Sequence, residues 1–463
     1  MTKINKILLL MFGIVLLVVA SCQKDYNYSI PPAPPKAPPK VSDSSTTLEA
    51  YFTNTPPNTI NAAYWKTANY LQVNSTTIIK NLLYGDGLLN MTGTYNGSTD
   101  FNRGGNPKLS IKAAYDNTNL YILAEWYDST VNPSQASWLY EGDYDPLKPT
   151  EVSTGWTSQR NSDKLALAFE IANASSPAGN FSSVGCQACC HGSGNSAIMS
   201  PTSGTVDIWN WNLATSSPLG LMHDLVSTSA GLVNDAGTPI ATRNVAGSTD
   251  RSGPAYEWNG TDQTVTSPAI AGGKTSLLDP AFYLMNKTPM VGSAVNGRAV
   301  YSSQGCNTCH GDNGEGGSGG GPINTMSQNK KSRSAYKAAM DNVPDMSDYW
   351  GPLSASDQDD VVTYLRGLSG VPGYVLNSSA SGSTTDISVV TNVTPSNISN
   401  AMFVSTNHHS KYQVLIIRKL KTNNADDIQF DLTASKIYNF GVALMDNDGK
   451  NHVGSAKEIL TFK

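Results

Sequence analysis

Apolar and polar residues alternate with a period of two along DKLALAFEI, residues 163–171, the pattern of a strand with one buried face. Upstream, IKAAYDNTNLYILAEWYDST (111–130) sets a turn at Asp116 and Asn117 between two runs of β-forming residues. Downstream, YQVLIIRKLKT (412–422), DIQFDL (427–432) and YNFGVALMDNDG (438–449) are further strands separated by polar turns. Short strands at this spacing predict a β-sandwich. One segment between these runs has a helical period instead. In LSASDQDDVVTYLRGL (353–368), Val361, Tyr364, Leu365 and Leu368 form an apolar stripe, Ser354 is placed as N-cap, and acidic residues fill the first turn.

The N-terminus follows a third pattern. Lys3 and Lys6 precede an apolar run from Ile7 to Ala20 that is too short to span a bilayer comfortably, which predicts a signal peptide over residues 1–21. The run ends in Val19-Ala20-Ser21-Cys22, which resembles a bacterial lipobox and implies that Cys22 carries lipid. Gln23-Lys24-Asp25 is similar to a short tag that takes some lipoproteins to the cell surface. The expected location is therefore extracytoplasmic, anchored to the outer membrane on its periplasmic face or at the cell surface. PPAPPKAPPK (31–40) predicts a stiff spacer within a lipidated linker over residues 22–45. A hydrophobic share of 39% supports real cores, and a net charge of −5 implies neither a nucleic-acid partner nor a basic membrane-binding face.

Beyond Cys22, five cysteines remain in an oxidising compartment and need a reason to be there. Cys306, Cys309 and His310 complete C-x-x-C-H, two thiols for covalent haem attachment and an adjacent imidazole for the iron. A zinc site would need Asp312 or Glu315 of a glycine-rich loop as its fourth ligand, and a redox disulfide would not need the histidine. The stretch from Met290 to Gly370 resembles a class I cytochrome c. Gly297 and Tyr301, four apart, match the helical face that meets the last helix in that family, and Pro322 resembles the proline that packs on the proximal histidine. MSDYWGPLS resembles the family pattern M-P-x-(Y/W)-x-x-x-L-S, which implies Met346 as distal ligand, with Ser347 in place of the proline. Met340 lies in the helical stretch SRSAYKAAM and is read as packing.

The flanking strands resemble the haem-binding domain of ethylbenzene dehydrogenase and dimethylsulfide dehydrogenase type cytochromes. The matching stretches are D-x-x-x-L-Y-x-L-x-E-W-x-D at Asp116 to Asp128, Val206 to Trp211, R-K-L-x-T-x-x-x-x-D at Arg418 to Asp427, and the Phe440 to Asn447 strand. The expected fold is mainly β, a haem-binding sandwich interrupted by an all-α class I cytochrome c domain. Its first part is expected over 46–285, the cytochrome over 286–373 and its second part over 374–463.

GCQACCHGSG (185–194) falls between strand 163–171 and the tryptophan-rich segment, where haem-binding relatives place a ligand. Cys186, Cys190 and His191 form C-x-x-x-C-H, an expanded attachment loop that leaves Cys189 over. A disulfide from Cys186 to Cys189 or Cys190, or a zinc site with His223, are the alternatives. For a distal ligand the candidates are His452, His223, Met222, Met199, Met445, His408 and His409. His452 is favoured because it follows MDNDGKN in an expected loop, with Ser455 and Leu460 spaced as around the C-terminal axial lysine of the b-type relatives. Trp209 and Trp211 read either as core or as cover for a haem edge. The reading is a dihaem c-type cytochrome with two covalently bound haem c groups, exchanging electrons with redox protein partners and making no product. Its rivals are the electron-transfer subunit of a molybdenum oxidoreductase, a dihaem peroxidase-like enzyme and a ligand-binding module.

Overall fold

The structure, a computed structural model, describes residues 47–73, 109–128, 131, 136–142, 155–158, 162–176, 179–189, 200–234, 239–247, 253–258, 287–324, 332–377, 387–396, 409–422, 424–432, 436–446, 451–455 and 457–463. The signal-peptide segment, Cys22 and the proline-rich linker lie outside these residues, as do Cys190, His191, Met199 and His408. The strands are β1 (Thr47–Phe52), β2 (Tyr70–Val73), β3 (Leu109–Tyr115), β4 (Asn119–Asp128), β5 (Trp138–Tyr140), β6 (Trp156–Ser158), β7 (Lys164–Ser176), β8 (Gly179–Asn180), β9 (Ser203–Asn212), β10 (His223–Thr228) and β11 (Gly231–Asn234). They continue with β12 (Ala241–Arg243), β13 (Tyr256–Trp258), β14 (Lys287–Pro289), β15 (Tyr374–Leu376), β16 (Ile387–Ser396), β17 (His409–Lys419), β18 (Ile437–Asp446), β19 (Asn451–Gly454) and β20 (Glu458–Phe462). Among the described residues, five helices fall between β14 and β15: α1 (Ala294–Ser303), α2 (Cys306–His310), α3 (Arg333–Asp341), α4 (Pro344–Trp350) and α5 (Ala355–Ser369).

Strands from both sides of the helical segment share one fourteen-stranded sheet, ordered β11-β10-β9-β7-β18-β20-β1-β3-β4-β17-β16, with β19 on β18, β2 on β3 and β8 on β7. Its pairs are antiparallel except β1 with β20 and β1 with β3. The hairpin of β3 and β4 shows how local sequence sets the register. Asp116 Oδ1 accepts the N–H groups of Thr118 and Asn119, each at 2.7 Å, and this closes the turn on which the two alternating strands meet. The sheet curls so that its ends approach. Trp126 on β4 meets Trp211 on β9 edge-on at 5.7 Å, Trp211 Nε1 donates to Thr391 Oγ1 on β16 at 3.0 Å, and Leu221 bridges Ser388.

The curl encloses the main core. Leu165, Leu167 and Phe169 of β7, Trp209 and Trp211 of β9, Tyr412, Val414 and Ile416 of β17, and Phe440, Val442 and Leu444 of β18 are all buried in it. Trp209 and Trp211 are thus core side chains. The opposite face of β7, β9 and β18 presents Ala166, Ala168, Ile208 and Ala443, covered by the short helix Phe181–Val184 and the 3-10 turn Gly185–Ala188.

Two loose motifs of the sequence meet inside the sandwich. Arg418 of β17 pairs with Asp207 of β9 at 3.2 Å and with Asp427 at 3.3 Å, all fully buried, and the Ile428 N–H donates to Asp207. These contacts tie a strand before the helical segment to residues after it. Breaking one partner of such a buried pair typically costs about 3–5 kcal/mol, because it strands a charge.

The sequence placed all of 46–285 in the sandwich, but the structure sends part of it elsewhere. Trp138, Tyr140, Trp156 and Trp258 pack with Tyr301, Tyr364 and Leu365 in the core of the helical segment. The physical reason is Gly367 on α5: a Cβ there would lie 2.7 Å from Tyr140 Cβ and 2.8 Å from the Trp156 ring, so only glycine lets the β5–β6 hairpin lie on that helix. Glu257 of β13 pairs with Arg366 of α5 at 3.3 Å and with Arg333 of α3. Among the described residues no helix is long and apolar enough to cross a membrane.

Candidate functional site

The helical segment is built around the close crossing of α1 on α5. A Cβ on Gly297 would sit 2.0 Å from the Asp360 carbonyl oxygen, and this contact leaves no room for any other residue. Asp360 in turn accepts the Ser293 N–H at 2.6 Å at the start of α1, and Ser354 caps α5 by accepting the Asp357 N–H at 3.1 Å. Tyr301 and Tyr364 pack as tilted rings 5.3 Å apart and donate to the Gly311 and Asp312 carbonyls at 2.9 Å each. Those two bonds hold the end of α2, which carries Cys306, Cys309 and His310.

Beside α2 opens a small, apolar cavity that is partly open to solvent. Cys306 and His310 of α2, Met340 of α3, Met346 and Trp350 of α4, and Leu365 of α5 line it. Cys309 is exposed one turn along, three residues from Cys306. His310 Nδ1 is bonded to the Gly321 carbonyl at 2.8 Å, which assigns the proton to Nδ1 and leaves Nε2 as a lone-pair donor. A Cβ on Gly320 would lie 2.5 Å from the imidazole and one on Gly319 2.8 Å from Cys309 Sγ, so the glycine run is what lets the loop fold flat against the attachment residues. Pro322 itself is exposed, and the histidine is fixed by the carbonyl before it. Burial pushes the Cys306 thiol up, as for a group turned into an apolar space.

The donor set and the lining suit a covalently held haem. The cavity is apolar, two thiols stand one helical turn apart, an oriented imidazole lies next to the second, and methionine sulfur is available across from it. The structure brings both Met340 and Met346 to the cavity, so the packing role the sequence gave Met340 is incomplete. Ser347, the departure from the family pattern, sits inside α4 rather than in a loop. Its N–H donates to the Val343 carbonyl at 3.0 Å and its hydroxyl to that of Pro344 at 2.8 Å, and a proline there would remove the first of these bonds.

The second cluster is described only in part. The 3-10 turn bearing Cys186 packs on β7 and β18, and Cys189 is buried with Ala188, Ala166, Ala168 and Ile208. Cys189 thus acts as a core residue. Met222 is buried in the main core, on the other side of the sheet from this turn, so it cannot serve a group beside Cys186. His223 faces the turn's side. Its Nε2 is 2.8 Å from Thr215 Oγ1, and burial, with Lys164 nearby, lowers it to about 4, a neutral imidazole at physiological pH. Met445 packs against the cluster around Cys189. Position 452 lies on β19, in register with Met445, and not in the loop expected from sequence. The hydrogen bonds of β19 to β18 draw it into the sheet. Because the 3-10 turn rests on β18, it is nearer to β19 than to β10, which β9 separates from β7. His409 begins β17, at the far end of the strand order.

Sequence reasoning missed Lys164, the register partner of Met445 on the same face. Burial lowers it to about 8. A lysine opening an alternating strand gives no sign of this, since its environment comes from β18 and β10.

Residues 62–278 match the family model described as ethylbenzene dehydrogenase, and residues 294–369 match that described as cytochrome c. The first match ends before β16, although β16 to β20 belong to the same sheet as β3 and β4. No curated protein matches the chain at a significant level. The chain therefore joins a domain that matches the ethylbenzene dehydrogenase family to a cytochrome c domain at residues 294–369.

Proposed function

We propose that the protein is a dihaem c-type electron carrier, held outside the cytoplasm by lipid on Cys22 and catalysing no reaction of its own. The observation that carries this reading is the apolar cavity in which Cys306, His310 and Met346 converge. Haem bound there would supply a one-electron couple between ferric and ferrous iron. The chain's own residues do the rest. Cys306 and Cys309 fix the group covalently, the Gly321 carbonyl orients His310, Met346 supplies the distal sulfur, and the apolar lining excludes water.

The second haem is assigned to Cys186, Cys190 and His191, with His452 as distal ligand. The burial of Cys189 among Ala166, Ala168 and Ile208 supports this assignment, because it takes that thiol out of the attachment pair. With haem bound, ligation by Met346 beside His310 would raise the potential of the first group and ligation by His191 and His452 would lower that of the second, which would direct electrons from the sandwich to residues 294–369 and on to a redox protein. In spectroelectrochemical titration of the full chain, Met346→His should lower one midpoint and abolish the weak sulfur-to-iron band, with the second midpoint unchanged. Loss of that band in Met340→Leu instead would move the ligand to Met340.

The match over 62–278 favours a second reading, the electron-transfer subunit of a molybdenum oxidoreductase. Stoichiometric molybdenum in the protein purified from its native membrane would support it over a freestanding relay.

A further inference from the structure

The mouth of the Cys306 cavity is left apolar and uncovered among the described residues. Tyr349 lines the cavity yet is 56% exposed, and Val343 at the start of α4 is 45% exposed. Helix α4 turns Met346, Tyr349 and Trp350 to the cavity, at i, i+3 and i+4. Asp345 and Asp348 occupy the adjoining face, also three apart, and Asp341 ends α3; all three are exposed. Arg333 and Lys337 of α3 are turned to Asp359 of α5, with which both pair. The turn after α2 adds exposed Asp312 and Glu315. A large ring in water, beside a cavity and flanked by exposed carboxylates, is the composition of a contact surface: the ring gives up water on contact and the carboxylates steer the approach.

We propose that the exposed face of α4, centred on Tyr349, docks a redox protein whose own cofactor edge is ringed by lysine and arginine; the proposal rests on the haem reading of residues 294–369. Docking there brings the two cofactor edges to within the thickness of the Tyr349 and Met346 side chains. The step moves one electron from ferrous iron to the partner's oxidised centre, and no bond or proton is exchanged.

The test uses the full haem-loaded chain and two small oxidants of opposite charge, tris(1,10-phenanthroline)cobalt(III) and hexacyanoferrate(III). Oxidation is followed by stopped flow at the sulfur-to-iron band, at low and high ionic strength. The rate with the cation should fall on the order of tenfold with salt, and again in an Asp341→Asn, Asp345→Asn, Asp348→Asn triple variant. The rate with the anion should rise under both changes, with the midpoint unaltered. Calorimetric titration with a lysine-rich cytochrome c gives a readout independent of turnover: binding at low salt should disappear in the triple variant. Equal responses to the two oxidants, or unchanged binding in the variant, would overturn the proposal. A chain with no redox-active band would instead sink the haem reading, and calorimetry would still report on the surface.

Discussion

At the scale of single residues, the two cysteine clusters differ in what surrounds them. His310 is oriented by a carbonyl that can be named, and Gly319 and Gly320 are required by contacts under 3 Å. The sandwich cluster depends on which imidazole is within reach. Position 452 lies on β19, next to the strand that carries the 3-10 turn, whereas β10 is three strands from β18, about 14 Å away at ordinary strand spacing. His452→Ala should therefore turn one haem high-spin and open it to carbon monoxide, while His223→Ala leaves both low-spin. The reverse result, seen in the optical spectra with and without carbon monoxide, would move the ligand upstream of residues 294–369.

Whole elements show where close packing is decisive. Replacing Gly297 by alanine forces α1 away from α5 and should cost about 1–3 kcal/mol, with weakening of the sulfur-to-iron band as the cavity deforms. Thermal unfolding followed at that band measures both. Strand β20 makes a pH-dependent contribution. Glu458 is 5% exposed, and burial raises it from 4.5 to about 8, so the folded state holds its proton. That stability is fully present below 4.5 and is lost as pH rises through 8, with a slope approaching about 1.4 kcal/mol per pH unit. Glu458→Gln should flatten the Tm against pH profile between 4.5 and about 8, where the slope lies; an unchanged slope there would show that another group sets it.

The same elements explain what could be read from sequence. The N-cap at Ser354, the face of Gly297 and Tyr301, and the turn at Asp116 are local, and each follows from residues a few positions apart. The strands on both sides of the helical segment were legible from alternation, and the family match agrees over 62–278. The meeting of Arg418 with Asp207 and Asp427 was not legible, although all three stand in quoted motifs, because 211 residues separate the first pair. The move of Trp138, Tyr140 and Trp156 out of the sandwich was hidden for the same reason: three aromatic residues in short strands specify burial but not against what. The sequence expects position 452 in a loop because Asn447, Asp448 and Gly449 read as turn residues, whereas Asn451–Gly454 pair back onto β18.

At the scale of the molecule, the two matched regions are not side by side as beads. The β5–β6 hairpin lies within the first match yet packs in the core of the second, and ring contacts run from Trp156 to Tyr140, Tyr364 and Tyr301 at 5.4, 5.7 and 5.3 Å. Tyr301 lines the cavity, so packed side chains connect that hairpin to the cofactor site. Glu257 with Arg366 and Arg333 locks the same arrangement through charge. In the proposed arrangement this one chain carries two haems, each through a cysteine pair and the following histidine. The pyridine haemochrome content of the purified mature protein, together with its intact mass, tests it most directly. Two haem increments are expected, falling to one in Cys190→Ala and, separately, in Cys309→Ala; a single increment that Cys190→Ala leaves unchanged would contradict the account.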